Sequence, residues 1–193
     1  MKRFGYRLYR NPFILFLIGP VYMFIIQNRL PINMKTRKDW KSLIITNIAI
    51  LAIILTVSFT IGFKYYLMIQ IPIIFIASSL GVWLFFVQHQ YEEVYWEENE
   101  QWDVTEAAIK GSSVYKLPLI LDWFTGSIGY HNIHHLNARI PNYSLRRLFK
   151  ATKEFHISKE FNVFGSLKLA KLYLYDQKNK MLISRRKFKK MQN

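Results

Sequence analysis

The sequence contains no cysteine, and this absence excludes several kinds of chemistry. Without thiolates, the chain cannot form disulfides, a cysteine-ligated zinc site or an iron–sulfur cluster of its own. Any electrons that the chain uses must therefore come from another protein. The chain also lacks a glycine-rich phosphate loop, a dinucleotide-binding fingerprint and a convincing nucleophile–base pair, so the common nucleotide and hydrolase sites are not expected.

Acidic residues are scarce as well, since 12 aspartates and glutamates stand against 27 lysines and arginines, for a formal net charge of +15. Such an excess of positive charge by itself suggests nucleic acid as a partner. The basic residues, however, flank apolar segments and fill the C-terminal end of the chain. This distribution is typical of a membrane protein with cationic cytoplasmic segments, and we expect no nucleic-acid partner.

Two long segments carry no charge at all, namely Leu43–Phe63 and Tyr66–Val87. Each is long enough to cross a hydrocarbon core of about 30 Å as a helix. Only Lys64 and Tyr65 separate the two segments, so the sequence predicts a tight transmembrane hairpin. The positive-inside rule places both ends of this hairpin in the cytoplasm, because basic residues precede the first segment: Arg29, Lys35, Arg37, Lys38 and Lys41.

A third apolar segment, Phe13–Gln27, is shorter and is interrupted by Gly19-Pro20. It is marginal in length for a membrane span, and a proline inside a helix removes a hydrogen bond. Basic residues lie on both sides of it, and a true crossing would place one basic group outside. We therefore expect an interfacial or re-entrant helix with both ends in the cytoplasm.

The chain changes character after Gln88. Gly111-Ser112-Ser113 predicts a break, Leu117–Phe124 a short helix at the membrane interface, and Ser144 the N-cap of a helix over Leu145–Phe155. Eight of the twelve acidic residues are concentrated here, among aromatic residues, and this mixture predicts a largely helical cytoplasmic cap: Glu92, Glu93, Glu97, Glu98, Glu100, Asp103, Glu106 and Asp122.

These patterns together predict an all-α membrane protein with a transmembrane helical hairpin, an interfacial helix and a cytoplasmic helical cap. Residues 1–42 form the N-terminal segment with the interfacial or re-entrant helix, and residues 43–88 form the hairpin. Residues 89–155 form the cap, which bears a histidine cluster, and residues 156–193 form a basic C-terminal tail.

The histidines of the cap lie mainly in the run His131-Asn132-Ile133-His134-His135, which Pro141 is expected to end as a helix. Histidines at i, i+3 and i+4 share one face of a helix, but His134 and His135 still diverge by about 100° around its axis. One metal ion would therefore use all three poorly, whereas two adjacent ions could share them. Neutral imidazole binds iron, zinc and copper, so the spacing predicts part of a dinuclear metal site.

Other polar side chains are weaker candidates. His89 ends the second long apolar segment and could reach a site on the membrane face, although it could equally be an interfacial polar residue. His156 is expected to be solvated. Glu92 and Asp122 could accept hydrogen bonds from ligand imidazoles. The alternative is that the acidic residues are solvated or pair with the basic tail. That tail suits anionic lipid headgroups or an acidic electron donor.

Two stretches carry a family resemblance: FFVQHQYEEVYWEENEQWD and GSSVYKLPLILDWFTGSIGYHNIHHLNARIPNYSL. They resemble the C-terminal half of the membrane fatty-acid desaturases, and in particular the bacterial acyl-lipid desaturases. The resemblance extends from about Tyr6 to about Asp176. Its specific elements are the third histidine box in its HNIHH form, followed by LNARIPNY, and the QH pair at the exit of the last membrane helix.

The resemblance implies an integral protein of the bacterial cytoplasmic membrane with two non-haem iron ions on its cytoplasmic face. Members of the family activate O₂ with electrons from a ferredoxin or a similar external donor, and they introduce a cis double bond into an acyl chain of membrane lipid. His131, His134 and His135 match the third box, and His89 matches an additional ligand. Phe85 stands where some members carry an asparagine ligand, so that ligand is absent or replaced.

The chain also departs from the family pattern. No histidine precedes His89, so the first two boxes, HxxxH and HxxHH, and the first pair of membrane helices have no counterpart here. Four histidines are too few to hold two irons, and we expect this chain to be inactive without the missing N-terminal half. It would be a gene fragment, a mis-assigned start or half of a split enzyme. A fragment of a related di-iron hydroxylase and a non-catalytic membrane remnant remain the alternatives.

Overall fold

A computed structural model of the chain describes residues 3–32, 34–97 and 100–192, so that Glu98 lies outside the described residues. The chain divides into two compact units, Met1–Trp83 and Leu84–Asn193. Each unit is described by itself below.

The first unit begins with α1 (Arg3–Tyr9), and the predicted short apolar segment follows as one helical stretch from Ile14 to Arg29. It consists of a π-helical turn, α2 (Gly19–Ile25) and a 3₁₀ turn. The helical stretch does not end at Gly19-Pro20, but it changes there from the π-helical turn to α2. Pro20, in the first turn of α2, lacks the N–H group that would bond to the preceding turn. The interfacial placement of this stretch stays a prediction.

The first long helix is α3 (Arg37–Ile61), which begins before the predicted start at Leu43. A capping box sets this start, because the Asp39 N–H donates to Thr36 Oγ1 at 3.1 Å and the Thr36 N–H donates to Asp39 Oδ2 at 2.8 Å. These reciprocal bonds satisfy backbone donors that the first helical turn leaves unpaired. The charged residues of the first turn therefore belong to the helix, ahead of its apolar part.

The second long helix is α4 (Phe63–His89), and within the described chain α3 and α4 are the two helices long and apolar enough to cross a membrane. The predicted connection at Lys64-Tyr65 is wrong, since both residues lie inside α4. The break is Gly62, whose φ of +94° is strained for any other residue. Few side chains in the apolar parts of both helices are buried in the structure, since most are exposed or half-buried. The hairpin packing and the orientation of the two helices stay predictions.

The second unit is mostly helical but contains two small sheets, so the prediction of a purely α-helical chain is wrong in this detail. Its elements after the end of α4 are α5 (Val104–Lys110), β1 (Val114–Lys116), α6 (Leu119–Phe124), α7 (His131–Leu136), α8 (Asn142–Ala151), a 3₁₀ turn (Lys153–Ile157), β2 (Glu160–Asn162), α9 (Val163–Ser166), a 3₁₀ turn (Leu167–Lys171), β3 (Leu172–Asp176), β4 (Met181–Ser184) and α10 (Arg185–Gln192).

Two small sheets organise the predicted tail, and one of them joins it to the predicted cap. β1 pairs in parallel with β2, with Tyr115 opposite Phe161, and β3 pairs with β4 as an antiparallel hairpin. β2, β3 and β4 all lie in the predicted basic tail, residues 156–193. Because β2 pairs with β1, residues on both sides of the expected boundary at 155 share one sheet.

Helix boundaries in the second unit also differ from the prediction. The acidic stretch before Asp103 is not helical where the structure describes it. Asp103 is instead the N-cap of α5, and its Oδ1 accepts the Glu106 N–H at 2.8 Å. The predicted break after Lys110 and the predicted helix before Phe124 are both confirmed.

The region after the histidines also departs from the expected pattern. α7 ends at Leu136, before Pro141 is reached. Pro141 is the N-cap residue of α8, so Ser144 lies inside that helix rather than at its start. The proline thus begins the next helix instead of ending the histidine helix, in keeping with its preset φ angle.

The core of the second unit fixes the helix that carries the histidines. Val114 from β1, Ile133 from α7, and Leu145 and Phe149 from α8 form one buried cluster. Ile133 is fully buried and stands between the histidines in sequence. Core packing of this one side chain therefore sets the rotation of α7 about its axis.

We predict that Gly129→Ala disrupts the second unit. A Cβ at this position would lie 2.3 Å from the backbone oxygen of Tyr115, so β1 would have to move, at a cost of about 1–3 kcal/mol or more. The measurement is the thermal midpoint of the detergent-solubilised chain, followed by size-exclusion chromatography. Gly81→Ala is the matched control, because nothing lies within 4 Å of its added Cβ. Equal midpoints for the two variants would contradict the prediction.

Candidate metal centre

Three histidine side chains converge in the second unit, and we refer to them as the histidine cluster: His89, His131 and His135. His89 is the last residue of α4, and the other two lie one turn apart on α7. One potential ligand nitrogen from each ring lies within 4.8 Å of the others. The ring centroids are 4.7 Å, 5.1 Å and 4.5 Å apart for the pairs 89–131, 89–135 and 131–135.

The orientation of His89 is set by the carbonyl oxygen of Phe85, which lies 2.8 Å from His89 Nδ1. A carbonyl oxygen only accepts hydrogen bonds, so Nδ1 carries the hydrogen. This leaves the lone pair of Nε2 free to bind a metal. Ligand histidines are commonly oriented in this way, by a hydrogen bond from the ring nitrogen that does not bind the metal. The Phe85 ring also stacks on the His89 ring at 4.3 Å.

The free nitrogen of His89 faces His135, and the two Nε2 atoms are 2.9 Å apart. Two nitrogens bound to one metal at right angles, each at about 2.1 Å, would also lie about 3 Å apart. The spacing therefore suits two ligands of one ion. With no metal present, the same distance suits a hydrogen bond from one ring to the other.

The electrostatics of the histidine cluster favour neutral rings. Burial lowers the pKa of His131 to about 3, with a further decrease from the neighbouring His89, His135 and His134. Burial, together with His89 and His134, also lowers the pKa of His135. Neutral imidazole is the form that binds metal ions. His131 Nδ1 is moreover buried with no hydrogen-bond partner among the described residues, so the donor set fits a metal ion.

Asn132 holds the histidine helix in place from its buried side. Its Nδ2 donates to the backbone oxygen of Phe155 at 3.2 Å and to Ser158 Oγ at 2.9 Å. Its Oδ1 accepts the Ile133 N–H at 2.9 Å. This fully buried amide thereby ties α7 to the chain that precedes β2, and it limits rotation of the flanking histidines.

Gln88 has the equivalent role at the end of α4. Its side-chain Nε2 donates to the backbone oxygen of Ile128 at 2.8 Å, just before α7. Its own carbonyl accepts the Ser113 N–H at 2.9 Å, and Ser113 Oγ donates to the Val87 carbonyl at 3.1 Å. Three hydrogen bonds, two of Gln88 and one of Val87, thus fix the end of α4 next to His89 against the segments on either side of α6.

Two other histidines lie outside the cluster. The half-buried His134 ring has its centroid 5.4 Å from that of His131 and 6.3 Å from that of His135, and its nitrogen is not part of the close group. This divergence is what the helical spacing predicted. His156 is exposed, and its Nε2 lies 2.8 Å from the Phe149 carbonyl.

The predicted carboxylate partners do not contact the histidine cluster. Glu92 is exposed, and its backbone oxygen accepts the Leu182 N–H. Asp122 is buried, and its Oδ2 accepts a hydrogen bond from Ser127 Oγ at 3.1 Å. In the part of the chain that the structure describes, neither carboxylate hydrogen-bonds a ring of the cluster. The Phe85 carbonyl is instead the acceptor for His89.

Other acidic residues pair with basic residues near the C-terminus, as the alternative interpretation expected. Glu93 Oε2 lies 2.9 Å from Lys159 Nζ, and Glu97 Oε1 lies 2.5 Å from Lys180 Nζ.

Glu97 also borders a cavity of about 450 Å³ that reaches His135 and is lined by Tyr95, Trp96, Trp102, Val104, Ala107, Ala108 and Gly111. A mixed aromatic and aliphatic cavity therefore opens beside one ring of the cluster.

Comparisons with known proteins identify the family of the chain. The family described as "Fatty acid desaturase" matches residues 1–161. The chain belongs to the fatty acid desaturase family. A fatty acid desaturase from Bacillus subtilis (strain 168) is 41% identical over 187 residues, which are 97% of this chain and 53% of that protein. The chain thus spans about half the length of this relative. No solved structure matches the chain.

We predict that the metal-free chain loses stability as the pH falls below about 6.5, the ordinary pKa of histidine. In the folded state the pKa of His131 is about 3. Between about pH 6.5 and this value, His131 therefore takes up a proton only in the unfolded chain, and this uptake favours unfolding. The His131→Gln variant cannot take up this proton, so its thermal midpoint should fall less as the pH decreases. The measurement is the thermal midpoint against pH in the presence of a chelator. Parallel profiles for the two proteins would contradict the prediction.

Proposed function

We propose that this chain supplies the part of a membrane fatty-acid desaturase that contains the third histidine box of a di-iron centre. The reaction is the O₂-dependent introduction of a cis double bond into an acyl chain of membrane lipid, with electrons from an external donor such as ferredoxin. The observation that carries the proposal is the convergence of His89, His131 and His135 in a chain of this family.

The residues present divide between two metal positions in this proposal. His89, His131 and His135 would hold one iron, and His134, whose nitrogens lie outside this close group, would bind the other. Bound iron would supply the activation of O₂ and the removal of hydrogen from the acyl chain.

The protein's own contribution is to keep the ligand rings neutral, oriented and in place. Burial lowers the pKa of His131 to about 3, and the pKa of His135 is lowered as well, in part by the neighbouring His89 and His134. The Phe85 carbonyl holds the proton of His89 on Nδ1 and directs Nε2 towards the metal position. The aromatic and aliphatic residues around the cavity beside His135 offer contacts that suit a hydrocarbon chain.

The centre needs ligands beyond these four histidines. Each metal ion takes about four to six ligands, so four imidazoles cannot fill the coordination of two irons. We therefore propose that the chain is active only together with an N-terminal half that carries further histidines. This requirement agrees with its coverage of 53% of the Bacillus subtilis relative.

We also propose that the histidine cluster faces the cytoplasm of a bacterial cell. The basic residues before α3 favour a cytoplasmic N-terminal end for this helix. Two consecutive spans would return the chain to the same side at His89. The cluster would then lie on the side where reduced electron carriers are found.

We predict that alanine at any position of the histidine cluster strongly weakens Fe²⁺ binding. Loss of a group that only supports a metal ligand typically weakens binding by about 10–100-fold, and loss of a ligand itself should exceed this range. Anaerobic titration of the detergent-solubilised chain measures this affinity. His156→Gln is the matched control and should bind as the wild type does, because His156 lies outside the cluster. Equal affinities for His131→Ala and the control would contradict the assignment of the ligands.

A complementation experiment tests the reaction itself. We predict that the chain, co-expressed with the part of the Bacillus subtilis relative that it does not cover, produces unsaturated acyl chains in a host that lacks its own desaturase. Either half alone should give none, and His135→Ala should abolish the product. Hydroxylated acyl chains would favour the hydroxylase alternative. Absence of product from two folded, iron-loaded halves would favour a non-catalytic remnant.

A further inference from the structure

The short helix α6 presents its apolar side chains to the outside. Ile120 is 71% exposed, Trp123 73% and Phe124 73%, and Leu119 is similarly exposed. The one charged residue of the helix, Asp122, is 6% exposed. A helix on a water-facing surface shows the opposite arrangement, with its apolar side chains inside and its charges outside.

Hydrogen bonds of Asp122 maintain this inverted arrangement. Its Oδ2 accepts from Ser127 Oγ at 3.1 Å, and its backbone oxygen accepts the Ser127 N–H at 2.7 Å. The turn that these bonds close contains two consecutive residues with positive φ, Gly126 at 61° and Ser127 at 54°. Such a conformation is uncommon for serine and persists where surrounding contacts determine it. With Asp122 held inside, the opposite face of α6, which carries Ile120, Trp123 and Phe124, faces outward.

A second group of exposed apolar side chains follows β2, at the same end of the β1–β2 sheet where α6 follows β1. β1 and β2 are parallel and pair Lys116 with Asn162, so the chain leaves both strands on the same side. α6 follows β1, and α9 follows β2. Phe164 of α9 is 85% exposed, and the exposed Leu167 is followed directly by the exposed Lys168. Aromatic and aliphatic side chains followed by lysine are typical of a surface at a membrane interface.

The bilayer is within reach of α6. Ile128, four residues after Phe124, accepts the hydrogen bond of Gln88 in the last turn of α4, a helix long and apolar enough to span a membrane. Four residues extend over at most about 14 Å. α6 is therefore tethered close to the point where α4 would leave the hydrocarbon core. Lipid is the apolar phase available at this position.

We propose that α6 inserts into the lipid monolayer through Leu119, Ile120, Trp123 and Phe124, and that it anchors the second unit to the membrane surface in addition to α4. Phe164 of α9 and Leu167 of the following 3₁₀ turn extend this lipid-facing surface. Asp122 is the positioning residue, because its bonds to Ser127 turn the apolar side chains outward. The proposal is independent of the metal centre.

The absence of cysteine makes a direct test possible, since one introduced cysteine is the only labelling site in the chain. Ile120→Cys and Phe124→Cys carry a small environment-sensitive fluorophore, and Lys178→Cys, at the exposed turn between β3 and β4, is the matched control. The full chain is reconstituted in vesicles of equal parts phosphatidylcholine and phosphatidylglycerol. Quenching is measured with nitroxide groups on the lipid acyl chains and with iodide in the buffer.

We predict that labels at 120 and 124 show blue-shifted emission, strong quenching by the acyl-chain nitroxides and little quenching by iodide, with the reverse at 178. Size-exclusion chromatography confirms folding, and Leu119→Cys replaces either variant if it fails to fold. Iodide quenching equal to that of the control would overturn the proposal, because α6 would then face water. Protection from both quenchers would also overturn it, because protein would then cover α6.

Discussion

The close approach of His89 to the two histidines of α7 is the constraint on which the second unit depends. The two groups come from segments more than forty residues apart, and their ring nitrogens still come within 2.9 Å. The buried amides of Gln88 and Asn132 make this possible, one beside each group, because each is hydrogen-bonded to backbone that the sequence places elsewhere. The site is therefore a property of the packed unit rather than of the histidine motif alone.

Crowding three imidazoles in a partly buried position is feasible only when they are neutral. Burial and mutual repulsion both disfavour protonation of His131, and its Nδ1 is buried without a hydrogen-bond partner among the described residues. A metal ion satisfies such nitrogens and stabilises the folded unit relative to the unfolded chain. Metal binding and folding of the second unit are thus expected to be coupled.

The sequence was informative where the signal was long or chemically specific. Uncharged apolar runs predicted α3 and α4, and the histidine spacing predicted that His134 and His135 diverge. The sequence was uninformative for short elements, because strands of three to five residues show no clear alternation of apolar and polar side chains. It was also uninformative for distant hydrogen-bond partners, such as Gln88 and Ile128, which are forty residues apart. Thr36 and Asp39 do form a recognisable capping signal, which shows that the early start of α3 was predictable.

X-ray absorption at the iron edge tests the central claim, that His89, His131 and His135 bind one metal together. The chain is loaded anaerobically with Fe²⁺ in detergent and compared with the His89→Ala variant. The account predicts a nitrogen shell with outer scattering from several imidazole rings, reduced by one ring in the variant. An oxygen shell without imidazole scattering, or identical spectra for the two proteins, would contradict it.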